Sequence, residues 1–241
     1  MAARRSQEQR SEASIERALN AALELFSTQG FRATTMRQIA DRAALSVGNI
    51  YHHFPDKEAI YDRLIERYWE RLLDPANELN EIFARADFPD DLEELAAAIE
   101  RTVEANKEHI LLIYLDVIEF RGEHVRAFYD GMSERFERTY GPRFAERRAA
   151  GEFGDVDPML AVMVATRWLF YFYTVEKCFG VPMHFGMTPK QAVDGFIQLV
   201  RHGLASPTSE APPAPIPNER RSAQARPAAR KRSRTARGGK K

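Results

Sequence analysis

The segment TTMRQIADRAALSVGNIYHHFPDKEAI, residues 34–60, places a glycine, a tyrosine, two adjacent histidines and a proline within eight positions of one another. Thr35 and Gln38 form a T-x-x-Q capping box, which predicts that a helix begins here. Ser46 can cap a second helix through its hydroxyl, and Pro55 ends that helix after one or two turns. The sequence therefore predicts two short helices separated by a tight turn.

A longer helix precedes this segment. Its apolar residues recur three or four positions apart, as on one face of a helix, at Ile15, Ala18, Leu19, Ala22 and Phe26. Gly30 can adopt the positive φ with which helices often end. The two short helices are unstable alone, so they need the first helix as a packing partner. The three together match the helix-turn-helix arrangement.

The residues that follow the turn suit contact with a nucleic-acid backbone. Gly48 has no side chain to hold the chain away from a phosphate, and Tyr51, His52 and His53 supply hydrogen-bond donors. Lys57 lies at a helix N-terminus, where N–H groups and an ammonium together favour an anion. Adjacent histidines point about 100° apart on a helix, so the pair is not expected to hold a metal.

The run ALELFSTQGFRATTMRQIADRAALSVGNIYHHFPDKEAIY resembles the DNA-binding domain of the TetR (tetracycline-repressor) family of bacterial transcriptional regulators. The resemblance covers residues 14–60. It implies that operator DNA, mostly its phosphates, is contacted by Thr35, Arg37, Ser46, Val47, Gly48, Asn49, Tyr51, His52, His53 and Lys57. Val47 stands where a polar or basic residue is common, which suggests an apolar contact such as one with a thymine methyl group. Ala44 replaces a glycine that is common in the turn.

The resemblance also implies the organisation of the whole chain. A basic N-terminal arm (1–13) precedes the helix-turn-helix domain (14–60), and a ligand-binding and dimerisation domain follows (61–205). Helical patterns at 109–120, 124–150, 158–179 and 189–204 agree with an all-α fold of about nine helices.

The run from Trp168 to Tyr173 is apolar on every side, so we expect it to be covered on both faces. In the TetR family the last two helices pair with their copies in a second subunit, which implies a homodimer and a palindromic operator. Arg167 lies in the middle of the longest apolar stretch, so we expect a buried helix there and no membrane span.

The resemblance further implies a ligand pocket in the middle domain. Met, aromatic and a few charged residues are candidates for its walls, because they form adaptable apolar surfaces with polar anchors. These candidates are Tyr114, Phe120, Phe128, Met132, Met159, Met163, Arg167, Trp168, Tyr171 and Glu176. Each of them also suits an ordinary core. A small, mainly apolar effector, such as an acyl chain or an aromatic compound, is slightly favoured.

The charges are distributed unevenly. The chain has 35 Lys and Arg against 35 Asp and Glu, yet the segment after residue 205 holds ten basic residues and two acidic ones. The middle of the chain is acidic, so nucleic-acid contact is expected from the ends. Six prolines and few large apolar residues predict that 206–241 is a disordered tail. Its basic residues fit nonspecific DNA binding and equally a solvated tail.

The pattern as a whole indicates a dimeric, ligand-released repressor of the bacterial cytoplasm, associated with the nucleoid. The two alternatives are an architectural DNA-binding protein led by the basic tail and a helical enzyme. No G-x-S-x-G, H-E-x-x-H, P-loop or G-x-G-x-x-G motif occurs, so no catalytic residue, metal or cofactor is expected. The single cysteine, Cys178, fits a reducing compartment.

Overall fold

The structure, a computed structural model, describes residues 2–204 and consists of ten helices connected by turns. They are α1 (Ala2–Gln29), α2 (Met36–Ala43), α3 (Val47–His53), α4 (Lys57–Leu72), α5 (Glu78–Arg85), α6 (Leu92–Ala105), α7 (Lys107–Glu119), α8 (Arg126–Ala149), α9 (Pro158–Cys178) and α10 (Pro189–Leu204). The all-α prediction is confirmed. The expected disorder of 206–241 lies outside the described residues.

The helix that the sequence analysis missed is α5. It has only eight residues, and its apolar side consists of little more than Leu79 and Ile82, which are buried. Asn77 caps it by accepting a hydrogen bond from the N–H of Leu79 at 2.9 Å. A short helix with two buried anchors gives a weak periodic signal, although the cap itself is readable.

The first three helices pack as the sequence predicted. Ala22 and Phe26 of α1 are fully buried, as are Ile39 of α2 and Ile50 of α3. These contacts supply the apolar burial that neither short helix can provide for itself. Helix α1 begins at Ala2, so the proposed arm of residues 1–13 is continuous with it rather than separate in secondary structure.

The ends of the short helices follow their capping residues. Thr35 Oγ1 accepts from the N–H of Gln38 at 3.2 Å, and Gln38 Oε1 accepts from the N–H of Thr35 at 2.8 Å. Ser46 Oγ accepts from the N–H of Asn49 at 3.1 Å. Ala44, at the end of α2, has a φ of +52°, a left-handed conformation that glycine adopts without strain.

Helix α9 packs against α6, α7, α8 and α10. Its length and composition would suit a membrane span, but half of its most apolar window is buried inside the protein, as in the core helix of a soluble protein. Leu169 and Phe172 are fully buried within the single chain. Trp168 and Phe170 are half-buried and Tyr171 is exposed, so the chain itself covers most of the run from Trp168 to Tyr173 but not all of it.

Candidate nucleic-acid interface and internal cavity

Helix α3 presents one face to solvent and the other to the core. Val47 and Tyr51 are exposed large side chains, with 36% and 53% of their surface accessible, while Ile50 on the opposite face is fully buried. A Cβ atom built on Gly48 would meet nothing within 4 Å. No other part of the described protein therefore blocks access of a DNA backbone to α3 at Gly48.

The ten predicted DNA contacts divide into two groups by exposure. Seven are exposed around the start of α2 and the outer face of α3: Thr35, Arg37, Ser46, Val47, Gly48, Tyr51 and His52. Three are half-buried: Asn49, His53 and Lys57. Thr35 and Arg37 lie at the start of α2, and the other five exposed residues belong to α3 or cap it.

The two histidines at the end of α3 differ in environment. Their rings lie 4.9 Å apart and nearly perpendicular, with His52 exposed and His53 half-buried. Burial, with a smaller contribution from His52, lowers the pKa of His53. This shift favours the neutral imidazole, which offers a single N–H donor.

Lys57 has a structural role that the sequence did not reveal. Its ammonium donates to the carbonyl oxygens of Phe31 at 2.9 Å and Thr34 at 3.1 Å, and it lies 4.2 Å from the centre of the Phe31 ring. These contacts attach the start of α4 to the turn between α1 and α2. An ammonium has three donors, so one remains for a phosphate.

A cavity of about 690 Å³ lies between helices α4, α5, α7, α8 and α9, which form its walls. Most of its lining is apolar, and Trp69 and Phe128 stack in parallel within it with ring centres 3.8 Å apart. Five of the ten predicted ligand residues line this cavity: Tyr114, Phe128, Met132, Arg167 and Tyr171. The volume is in the range of sites that hold small organic ligands.

The other five candidates do not line the cavity. Phe120 packs against Phe31 and Tyr61 at the junction with the helix-turn-helix domain. Trp168 stacks on Phe196 of α10 at 3.8 Å. Glu176 accepts hydrogen bonds from the N–H of Met183 and from the His184 ring. Met159 and Met163 are half-buried and pack on the core.

The sequence did not indicate the cavity wall from α4 and α5, nor the α8 residues of the wall other than Phe128 and Met132. Trp69, Asn80, Tyr129 and Arg135 all lie there. Helix α5 was not predicted, and α8 is too polar for an apolar face to indicate which side points inward. A cavity between helices brings together residues that share no periodicity within any single element.

The geometry agrees with three comparisons with known proteins. A family model described as "Bacterial regulatory proteins, tetR family" matches residues 18–64. The chain is 28% identical to the HTH-type transcriptional repressor KstR2 of Rhodococcus jostii, over 78% of this chain and 90% of that protein. It is 30% identical to the HTH-type transcriptional regulator UidR of Escherichia coli, over 64% of this chain and 74% of that protein.

The chain belongs to the TetR family. A solved TetR-family regulator from Marinobacter aquaeolei shares its fold, with a TM-score of 0.58 at 16% identity over 83% of this chain and 99% of that one. This TetR-family protein is accordingly a DNA-binding transcriptional regulator and not an enzyme. Neither the architectural nor the enzymatic alternative has support. TetR-family regulators are cytoplasmic proteins that bind operator DNA and small effectors as dimers.

An apolar surface remains exposed on the last two helices of this TetR-family regulator. Leu160 and Val164, four residues apart on α9, have 59% and 51% of their surface accessible, and Leu199 on α10 has 71%. Side chains at such spacing lie on the same side of a helix. We refer to Leu160, Val164 and Leu199 as the α9–α10 face.

The domain junction of this TetR-family regulator is a set of polar contacts made by α7 and the loop after it. Glu119 Oε2 accepts from the N–H of Arg32, in the turn between α1 and α2, at 3.2 Å. His124 bridges two carboxylates: its Nε2 lies 3.0 Å from Asp62 of α4, and its Nδ1 is hydrogen-bonded to the buried Asp116 of α7. Helix α7 is thus attached both to α4 and to the DNA-binding domain.

Proposed function

We propose that this TetR-family regulator is a repressor, which binds a palindromic operator as a homodimer and is released by a small, mainly apolar effector. The observation that carries the proposal is that α4 and α7 serve both parts of the molecule. Trp69 of α4 and Tyr114 of α7 line the cavity. Lys57, at the start of α4, and Glu119, at the end of α7, bond to the turn between α1 and α2.

The proposed DNA surface is the exposed group at the start of α2 and on α3. Thr35, Arg37, Ser46 and Tyr51 would bond to phosphates, and Val47 faces bases, where its apolar side chain suits a thymine methyl group. Asn49, His53 and Lys57 are more buried, so we assign them a supporting part in this surface. The regulator would then reside on the nucleoid.

The proposed dimer forms through the α9–α10 face. Burying exposed leucine and valine side chains against their symmetry copies removes apolar surface from water. A two-fold axis through this face would present two copies of α3 to successive major grooves, about 34–36 Å apart. This symmetry is the physical reason for expecting a palindromic operator.

The proposed release mechanism is a shift of α4 and α7 when the cavity is filled. Because both helices bond to the turn between α1 and α2, moving them changes the position of α3 relative to its copy. A coupling free energy of about 1–3 kcal/mol changes operator affinity by roughly 5- to 150-fold. By linkage, operator DNA must weaken effector binding by the same factor.

Selection of binding sites from random-sequence duplexes with the full-length protein tests this function. We expect a palindromic motif, and gel shifts should show it bound at least about 1,000-fold more tightly than its scrambled version. Tyr51→Ala should reduce operator affinity, whereas Phe185→Ala, which removes an even more exposed aromatic ring outside the DNA surface, should not. Equal binding of the selected and scrambled duplexes would overturn the proposal.

A further inference from the structure

The charged side chains in the described lining of the cavity are all cations. Arg135 and Arg138 of α8 and Arg167 of α9 all line it, and no aspartate or glutamate is among the described residues that do so. Arg135 is half-buried, while Arg138 and Arg167 also reach solvent. An apolar cavity whose described lining has three guanidinium groups and no carboxylate favours an anion over a cation.

Arg135 is held by a neutral partner. Its Nη2 donates to Asn80 Oδ1 at 2.9 Å, and among the described residues no other acceptor bonds to this guanidinium. The Asn80 amide is fixed in turn, because its Nδ2 donates to the carbonyl oxygens of Leu72 and Asp74, each at 2.7 Å. The guanidinium is therefore oriented without being neutralised, and most of its five N–H donors stay available.

The charged form of Arg135 is destabilised at this position, as expected for a guanidinium without a carboxylate partner. Burial, followed by repulsion from Arg138, lowers the pKa of Arg135. Two neighbouring cations repel each other, and withdrawing one of them from water is unfavourable. An anion placed between them would relieve both effects. Two other arginines of α8, Arg143 and Arg147, have carboxylate partners in the protein itself.

The aromatic part of the cavity begins about two helical turns along α8 from Arg135. Tyr129 precedes Arg135 by six residues on α8, a distance of roughly 9 Å along the helix axis. The stacked rings of Trp69 and Phe128 lie at the same end as Tyr129. Arg167 lies at this aromatic end too, 5.4 Å from the centre of the Tyr129 ring, and no ion pair joins it to a carboxylate among the described residues.

We propose that the effector is an anionic amphiphile, with an apolar ring or chain against Trp69 and Phe128 and an anionic headgroup bound by Arg135 and Arg138. This inference rests on the proposed function, since it concerns the chemistry of the same effector. A guanidinium binds oxyanions through paired N–H groups, so the site selects a carboxylate, sulfonate or phosphate over a neutral polar group. Asn80 is the positioning residue that aims Arg135 at the headgroup.

A matched pair of fluorescent probes tests the charge requirement. The probe 8-anilinonaphthalene-1-sulfonate and the neutral N-phenyl-1-naphthylamine share one aromatic body and differ by the sulfonate. We expect the full-length protein to bind the sulfonate about tenfold more tightly. Arg135→Gln and Arg138→Gln should each reduce that preference while changing the affinity for the neutral probe less than about twofold. Arg143→Gln, an α8 arginine outside the cavity lining, is the matched control and should leave both affinities unchanged.

The possible outcomes separate this inference from the proposed function. Equal binding of both probes to the wild-type protein would overturn the anionic headgroup, while the apolar-effector proposal would stand. Preference for the sulfonate that persists in both cavity variants would also overturn the inference, because the anion would then be bound elsewhere. Failure of both probes to bind would overturn the cavity as an effector site altogether. Arg138 is exposed, so Arg138→Gln keeps the test valid if Arg135→Gln does not fold.

Discussion

The hydroxyl of Tyr61, on α4, donates a 2.6 Å hydrogen bond to the carbonyl oxygen of Leu112, on α7. The Tyr61 ring is fully buried and contacts Phe26, Phe31 and Phe120, so it joins the two helices to the end of α1. Burial, with smaller contributions from nearby carboxylates, raises the pKa of Tyr61, which therefore remains a protonated donor. A shift of α7 relative to α4 must break this hydrogen bond, whereas a joint shift of both helices can keep it.

Tyr61→Phe should lower the free energy of unfolding by about 1 kcal/mol, because a single buried hydrogen bond is removed without a change in shape. Urea denaturation followed by circular dichroism measures the change. The same variant should reduce the factor by which an effector weakens operator binding. Tyr51→Phe is the matched control, since an exposed hydroxyl should change stability by less than about 0.5 kcal/mol. Equal losses in the two variants would contradict the prediction.

Leu199→Glu should dissociate the dimer while leaving the subunit folded, because the side chain is 71% exposed in the single chain. Light scattering at micromolar concentration gives the mass, and operator affinity should fall together with it. Ile118→Glu is the control, since Ile118 on α7 is 79% exposed and lies outside the α9–α10 face. Leu169→Glu is unsuitable because Leu169 is fully buried, so a charge there would unfold the subunit. A wild-type monomer would contradict the proposed interface.

Ala44→Gly should stabilise the protein by about 0.5–1 kcal/mol. The left-handed conformation at φ +52° is strained for an L-residue with a Cβ atom, and relief of this strain exceeds the extra chain entropy of glycine. Ala43→Gly, one residue earlier in a helical and buried position, should destabilise by a similar amount. Thermal unfolding of the two variants distinguishes them by the sign of the change. A loss of stability in both would show that the turn is not strained.

Asp91 predicts a pH dependence of stability. Burial, and to a smaller extent Asp87, raises its pKa from 3.8 to about 6. The folded protein thus binds this proton more tightly than the unfolded chain does. Protonation of Asp91 therefore adds fully to the free energy of unfolding below pH 3.8, and this addition is lost as the pH rises through about 6. Asp91→Asn should stabilise by about 1 kcal/mol near pH 8, allowing for solvent screening around the half-buried residue, and by less near pH 5.

Urea denaturation at both pH values measures this difference. Asp155→Asn, which removes an exposed carboxyl, is the control and should show no such trend. A gain from Asp91→Asn that is larger near pH 5 than near pH 8 would show that the sign is wrong.

The sequence could predict the helix-turn-helix domain closely because its determinants are local. The capping box at Thr35, the cap at Ser46 and the stop at Pro55 each act within four residues, and the structure contains all three features. The cavity could be predicted only in part. Met159 and Met163 lie on the same helix as Arg167 and have adaptable apolar side chains, yet they pack on the core and do not line the cavity. Which α9 side chains face the cavity depends on the helices packed around α9. The packing of α9 and the contact of Asn80 with Arg135 both depend on residues far apart in the sequence, so local patterns do not reveal them.

Trp69 and Trp168 are the only two tryptophans of the chain, and they occupy separate environments. Trp69 stacks on Phe128 in the cavity, whereas Trp168 stacks on Phe196 of α10. Intrinsic emission therefore contains two independent signals. In Trp168→Phe, the remaining emission should respond to a ligand in the cavity; in Trp69→Phe, it should respond to dilution of the dimer. Site occupancy and subunit assembly can be followed separately in this regulator without any attached dye.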